Sequence, residues 1–156
     1  YSVSIMIEQA GKVPDTIFMS AIEEKATPDD VERFQIDMDD NVLTIERVRT
    51  ADGEPVVYCI DKVPSNYLHQ EFLTKDNISL FSALEKSANV RVTYAITQID
   101  PIGYHDHVSP ILKTGKDTAL LVLSQAHYDE YDRLVLYSKN YFRADKFSFH
   151  VVRKRM

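Results

Sequence analysis

The chain has little of what most functional signatures require. Its 156 residues include one cysteine, Cys59, and no tryptophan. A single cysteine excludes an internal disulfide and leaves no thiolate cluster for zinc, which is consistent with a reducing cytoplasm as the expected compartment. Four glycines and six prolines are too few for a disordered or low-complexity chain. No apolar run approaches the roughly 20 residues of a membrane span. The longest, Ala119 to Leu123, is strand-sized, and no signal-peptide pattern opens the chain. No membrane partner is expected. Positive charge is also short: 18 Lys and Arg stand against 24 Asp and Glu, a formal charge of −6. Duplex DNA binding depends on cations that neutralise phosphates, so this balance argues against DNA contact. The only dense basic run, Arg153 to Arg155, reads as a solvated end. No G-x-S-x-G, Walker loop, dinucleotide fingerprint, H-E-x-x-H or C-x-x-C occurs. Neither an enzyme nor a cofactor is expected.

What is present fits one globular domain, since domains commonly run to roughly 100–150 residues. The hydrophobic fraction of 44% and charged fraction of 27% are ordinary for such a domain. The chain begins with Tyr1 rather than methionine, which reads as a piece of a longer protein. Val3 to Ile7 and Ile17 to Ile22 have strand patterning. In A-T-P-D-D-V-E-R-F, Thr27 is a good N-cap, Pro28 suits the first helical position, and Asp29 and Asp30 favour the positive end of the helix dipole. A short helix to Gln35 follows, with Val31 and Phe34 inward. The acidic stretch Asp37 to Asn41 lacks the glycine and glutamate of a calcium loop and reads as a turn.

Asn41 to Val63 reads as a β-hairpin around the Asp52-Gly53 pair, a strong short-range hairpin signal. Ser65 to Glu71 suits a helical turn. Asn77 to Ser87 suits a helix with Leu80, Phe81 and Leu84 on one face. Val90 to Ile99 is a further strand, His105 to Lys113 irregular or briefly helical, and Ala119 to Tyr128, Leu134 to Phe142 and Phe147 to Arg153 a three-strand meander. Hairpin connections dominate this order. It implies an α+β architecture, a mainly antiparallel sheet with helices packed on it.

Few residues point to chemistry. His105 and His107 bracket Asp106 and could share a metal only with a third ligand from elsewhere; a polar loop explains them as well, and no metal site is assigned. Cys59 lies mid-strand among apolar residues, where a thiol behaves as a small hydrophobe. Arg47 and Arg49, two apart on a strand, project from one face. They either pair with carboxylates at a solvent-facing edge or hold a bound anion. Ser79, at a helix start, is either a cap or part of an anion site.

Three segments carry a resemblance: V-L-T-I-E-R-V-R-T-A-D-G-E-P from Val42 to Pro55, S-L-F-S-A-L-E from Ser79 to Glu85, and L-Y-S-K-N-Y-F-R-A-D-K-F-S-F from Leu136 to Phe149. In this order and spacing the chain resembles the UTRA effector-binding domain of GntR-type bacterial transcription regulators, HutC subfamily, from about Ile7 to Lys154. The resemblance implies a chorismate lyase-like α+β fold, a homodimer and a pocket for a small-molecule effector. It also implies that DNA is met only through an N-terminal winged helix-turn-helix domain absent from this sequence. Carried over by position, it makes Arg47 and Arg49 the anion-binding pair and puts Ser79 and Phe81 at a phosphate cradle. Cys59, Leu136 and Phe142 occupy pocket positions where relatives often carry Glu, Glu and Tyr, and Phe81 stands where Tyr is frequent. Replacing those polar groups leaves the arginines nearly the only charges in the pocket. The expected effector then has an anionic head and an apolar body. The alternatives are a chorismate lyase-like enzyme or carrier, which would want a buried acid opposite an arginine, and a dimerisation module with a vestigial pocket.

Overall fold

A computed structural model describes residues 3–68, 73 and 79–155. The chain runs α1 (Val3–Gln9), β1 (Pro14–Lys25), α2 (Pro28–Phe34), β2 (Asn41–Ala51), β3 (Glu54–Pro64), α3 (Leu80–Ala88), β4 (Val92–Ile102), α4 (Val108–Ile111), β5 (Leu120–Asp129) and β6 (Leu134–Arg143). The six strands form one sheet in the order β1-β2-β3-β6-β5-β4, antiparallel at every pairing. This is the α+β architecture that the hairpin-rich order implies. None of the described helices is long and apolar enough to cross a membrane.

Local chemistry explains the best-defined elements. At the β2–β3 turn Asp52 and Gly53 have φ of 50° and 81°, the left-handed pair that matches the twist of a two-residue hairpin. That turn sets Arg47 opposite Cys59 and Ile45 opposite Asp61. At α2 the Thr27 hydroxyl accepts from the Asp30 N–H, while the Asp30 carboxylate accepts from the Thr27 N–H. Two orphan donors of the first turn are thus satisfied reciprocally. Phe34 is buried and Val31 half-buried.

Side chains alternate along each strand, so one sheet face collects Leu43, Ile45, Arg47 and Arg49 of β2. Two cores sit on that face. At one end Leu43, Ile45, Val63 and Leu136 pack with Leu80, Ala83 and Leu84 of α3. At the other, Val57, Leu123 and Phe142 pack with Ile7 of α1 and with Phe147. A third core covers the opposite face, where Val48, Tyr58 and Leu120 meet Val108 and Leu112 around α4. Because α1 and α3 cap different ends of the same face, the middle of the sheet lies between two cores.

Several expectations are corrected. Val3 to Ile7 is helical, not extended. Its apolar residues satisfy both periods, and the helical one lets Val3, Met6 and Ile7 meet the sheet together. Phe147 to Arg153 is not a strand. Both neighbours of β6 are already taken, by β3 and β5, so no edge remains beside it. The meander is instead β4-β5-β6. Phe81 does not join the buried face of α3; it is 48% exposed, and Ala83 fills the core position. The expected turn from Ser65 to Glu71 and the start of the helix at Asn77 fall partly outside the described residues, as does His69.

The β5–β6 turn is held by Asp129, which is fully buried. Its carboxylate accepts from the N–H groups of Tyr131 and Arg133 at 3.0 and 2.9 Å and from Arg133 Nε at 2.8 Å. Burial alone would raise this carboxyl, but the bonds from Arg133 and Tyr131 outweigh it and hold it below the usual 3.8. A lowered folded-state value contributes stability above the unfolded value and loses it as pH falls through the folded one. Asp129→Asn should therefore lower the unfolding free energy at neutral pH by about 1–3 kcal/mol. It should also lessen the loss of stability on acidification below about pH 4. Urea unfolding of both proteins at neutral and acidic pH checks this.

Candidate binding cleft

The gap between the two cores is a cleft of about 830 Å3. Its floor is built from same-face residues: Arg47 and Arg49 of β2, Cys59 and Asp61 of β3, Leu136, Ser138 and Asn140 of β6, and Gln125 and His127 of β5. Antiparallel register aligns them in rows, with Arg47, Cys59 and Asn140 across one row and Ile45, Asp61, Ser138 and Gln125 across the next. The walls come from Ser4 of α1, Phe18 of β1, Ser79 and Phe81 at the start of α3, and Tyr94 and Thr97 of β4.

The arginines differ in their partners. Arg47 Nη2 donates to Asp61 Oδ2 at 2.9 Å. Arg49 Nη2 donates to the Ser4 hydroxyl, which ties α1 to the floor. The Nε of each is buried without a hydrogen-bond partner among the described residues. Burial pulls the Arg49 guanidinium below its ordinary value, and the Arg47 charge acts in the same direction. A guanidinium nevertheless stays protonated. Arg47 is balanced by Asp61, whereas Arg49 has only Asp15, a cleft-lining carboxylate, acting on it through space. At the far side Ser138 Oγ donates to Asp61 Oδ1 at 2.6 Å. His127 Nε2 stands 3.4 Å from Ser138 Oγ, and Phe81 packs edge-on against its ring at 5.4 Å. Burial lowers the basicity of His127. Burial, with Asp61 adding to it, pushes the Cys59 thiol up to about 12, so it is present as the neutral thiol.

Of the residues singled out from the sequence, Arg47, Arg49, Cys59, Ser79, Phe81 and Leu136 line the cleft. Phe142 does not. It is wholly buried in the core beside α1, with Phe147 and Phe149 edge-on at 5.1 and 5.0 Å. The C-terminal segment folds over this position and removes it from the floor. The expectation that the arginines are nearly the only charges also fails, because Asp61, 3% exposed, stands between Arg47 and Ser138. Asp61 and Ser138 could have been found, since each lies two residues from a position already assigned, Cys59 and Leu136, and so shares its face. His127 and Gln125 have no comparable signal.

Other candidate chemistry falls away from the cleft. His105 Nδ1 accepts from the N–H groups of His107 and Val108, so it organises its own loop. No group of three or more potential metal ligands occurs among the described residues. A Ser–His nucleophile needs the hydroxyl proton directed at the imidazole. Here it is directed at Asp61.

The fold and cleft define a class: an α+β domain whose six-stranded antiparallel sheet bears helices and an open cleft on one face. Within that class the chain belongs to the UTRA domain family, whose model matches residues 9–148. Among solved structures, PhnF from Mycobacterium smegmatis superposes with a TM-score of 0.87 at 22% identity, over 100% of this chain and 69% of that one. The effector domain of the same PhnF gives 0.85 at 22% identity, over 99% and 95%. The ligand-binding domain of a putative GntR-family transcriptional regulator from Bordetella bronchiseptica gives 0.81 at 17% identity, over 90% and 89%. At these identities the likeness carries the fold. A comparison with curated proteins finds no match.

The placement of Phe142 is testable. Phe142→Tyr would bury a hydroxyl among Phe147, Phe149 and Ile7, costing about 1–3 kcal/mol of stability. Denaturant unfolding should show that loss. An unchanged midpoint would mean that the ring faces the cleft.

Proposed function

We propose that this chain is the effector-sensing and dimerisation domain of a GntR-type transcriptional regulator of the HutC subfamily, a cytoplasmic repressor without enzymatic activity. DNA is bound by a winged helix-turn-helix domain outside this sequence. The observation that carries the reading is Arg49, a half-buried guanidinium in the cleft with no carboxylate in hydrogen-bond contact among the described residues. Such a group favours an anion, and the start of α3 at Ser79 to Phe81 adds a second anion-favouring wall. The effector is a small molecule with an anionic head on Arg49 and Arg47. Ile45, Leu80 and Leu136 offer its body an apolar wall. An anion on Arg49 would compete with the Ser4 hydroxyl and so bias the position of α1. Effector binding then shifts the equilibrium between DNA-competent and incompetent arrangements of the dimer.

The homodimer would cover apolar residues exposed on the two edge strands. Ile17, Phe18, Met19 and Ile22 of β1 and Tyr94, Ile96 and Ile99 of β4 are each at least 43% exposed. Long apolar edges left open favour association. One observation favours the lyase-like enzyme as a second reading: Asp61 supplies the buried acid beside an arginine that such a site would want. Its two bonds, from Arg47 and Ser138, suit a counter-ion better than an acid catalyst.

Thermal shift with inorganic phosphate, sugar phosphates, carboxylates and acyl compounds tests the reading. At least one anion should stabilise the wild type by about 1–3 kcal/mol near saturation. Arg49→Ala should abolish the shift while light scattering shows an intact dimer. If no anion shifts the wild type, the dimerisation module with a vestigial pocket is the better account. A monomer at all concentrations would overturn the dimer.

A further inference from the structure

The direction of each hydrogen bond in the cleft floor follows from its donors. Ser138 has one hydroxyl proton, and its Oγ lies 2.6 Å from Asp61 Oδ1. An ionised carboxylate only accepts, so that proton points at Asp61. The contact of His127 Nε2 with the same Oγ, at 3.4 Å, therefore has the imidazole as donor. His127 is 6% exposed, and its burial favours the neutral ring. A neutral imidazole donating from Nε2 keeps Nδ1 as an acceptor. Arg47 Nη2 donates to the other carboxylate oxygen at 2.9 Å. Every proton in the line Arg47, Asp61, Ser138, His127 is thus directed toward Asp61.

The balance left for a bound molecule is one-sided. An ionised carboxylate has about four lone-pair sites, and two on Asp61 are taken. Asp61 and His127 retain acceptor capacity, while Ser138 has no proton left to donate. Arg49 on the same floor offers donors only. Asp61 with His127 and Arg49 therefore differ in hydrogen-bonding character, acceptors at one and donors at the other, while the amides of Gln125 and Asn140 on the same floor can do either.

We propose that Asp61 and His127, aligned through Ser138, form an acceptor subsite that selects effectors whose body carries a hydroxyl or ammonium donor, while Arg49 holds the anionic head. This rests on reading the cleft as an effector site. It also replaces a wholly apolar body with one that is apolar toward Leu80 and Leu136 and donor-bearing toward Asp61. An alkyl body would cover these acceptors without satisfying them. That lowers affinity about 10- to 100-fold relative to a donor-bearing body of the same shape.

Calorimetry with three probes that share a phosphate head tests this: propyl phosphate, glycerol phosphate and aminopropyl phosphate. Glycerol phosphate, aminopropyl phosphate or both should bind the wild type about 10- to 100-fold more tightly than propyl phosphate. Which of them does so tells hydroxyl from ammonium. Asp61→Asn should erase the preference, but it also removes the partner of Arg47 and can unfold the chain. His127→Phe keeps the ring contact with Phe81 and serves as the second variant. It should reduce the preference for the donor-bearing probes severalfold. Propyl phosphate binding as tightly as the other two, with Arg49→Ala abolishing all three, would overturn the acceptor subsite and leave the sensor reading standing. No binding of any probe to the wild type would overturn both.

Discussion

The Asp52-Gly53 turn holds β2 and β3 in a register that puts Arg47 opposite Cys59 and Ile45 opposite Asp61, and the rest of the sheet takes its facing from that pair. β6 meets β3 with Asp61 opposite Ser138, and β5 meets β6 with Ser138 opposite Gln125. Because side chains alternate, a slip of one residue in the hairpin would turn Arg47 and Arg49 to the face that packs against α4. It would also send Val48 and Tyr58 into the cleft. Core and cleft are therefore fixed by the same event.

A row of polar groups on an otherwise apolar face has a cost. Taking Arg47 and Asp61 out of water costs several kcal/mol per ion in effective terms, and well-packed apolar residues often stabilise a site of this kind as well or better. Two features limit the cost here. The cleft keeps the Arg47 side chain 23% exposed, and Asp61 takes bonds from both Arg47 and Ser138. Stability alone does not account for the row. Its position, in the gap that α1 and α3 leave open, is where a bound molecule would meet it.

What was legible in the sequence was local. The hairpin turn, the Thr27 cap and the strands around Arg47, Leu120 and Leu134 depend on neighbours a few residues away, and their patterns are unambiguous. Val3 to Ile7 was not, because five residues of mixed polarity fit both a period of two and a helical one. The strand expected from Phe147 depended on a free place beside β6, which β3 occupies from far along the chain. The family pattern placed Phe142 in the pocket, and only the folding of Phe147 and Phe149 over its ring shows otherwise.

By itself the sequence determined the α+β class, the hairpin, the shared face of Arg47 and Arg49, and the family, since each rests on short-range spacing or on contiguous motifs. Tertiary structure alone decided which charges meet. Asp61 and Ser138 are 77 residues apart, and His127 reaches them only because β5 lies beside β6 and β6 beside β3. Strand order is a long-range property, set by how two cores share one sheet face, and no local pattern encodes it. That is why Arg47 and Arg49, equivalent in the sequence, are different groups in the fold: one bonded to the Asp61 carboxylate, the other to the Ser4 hydroxyl.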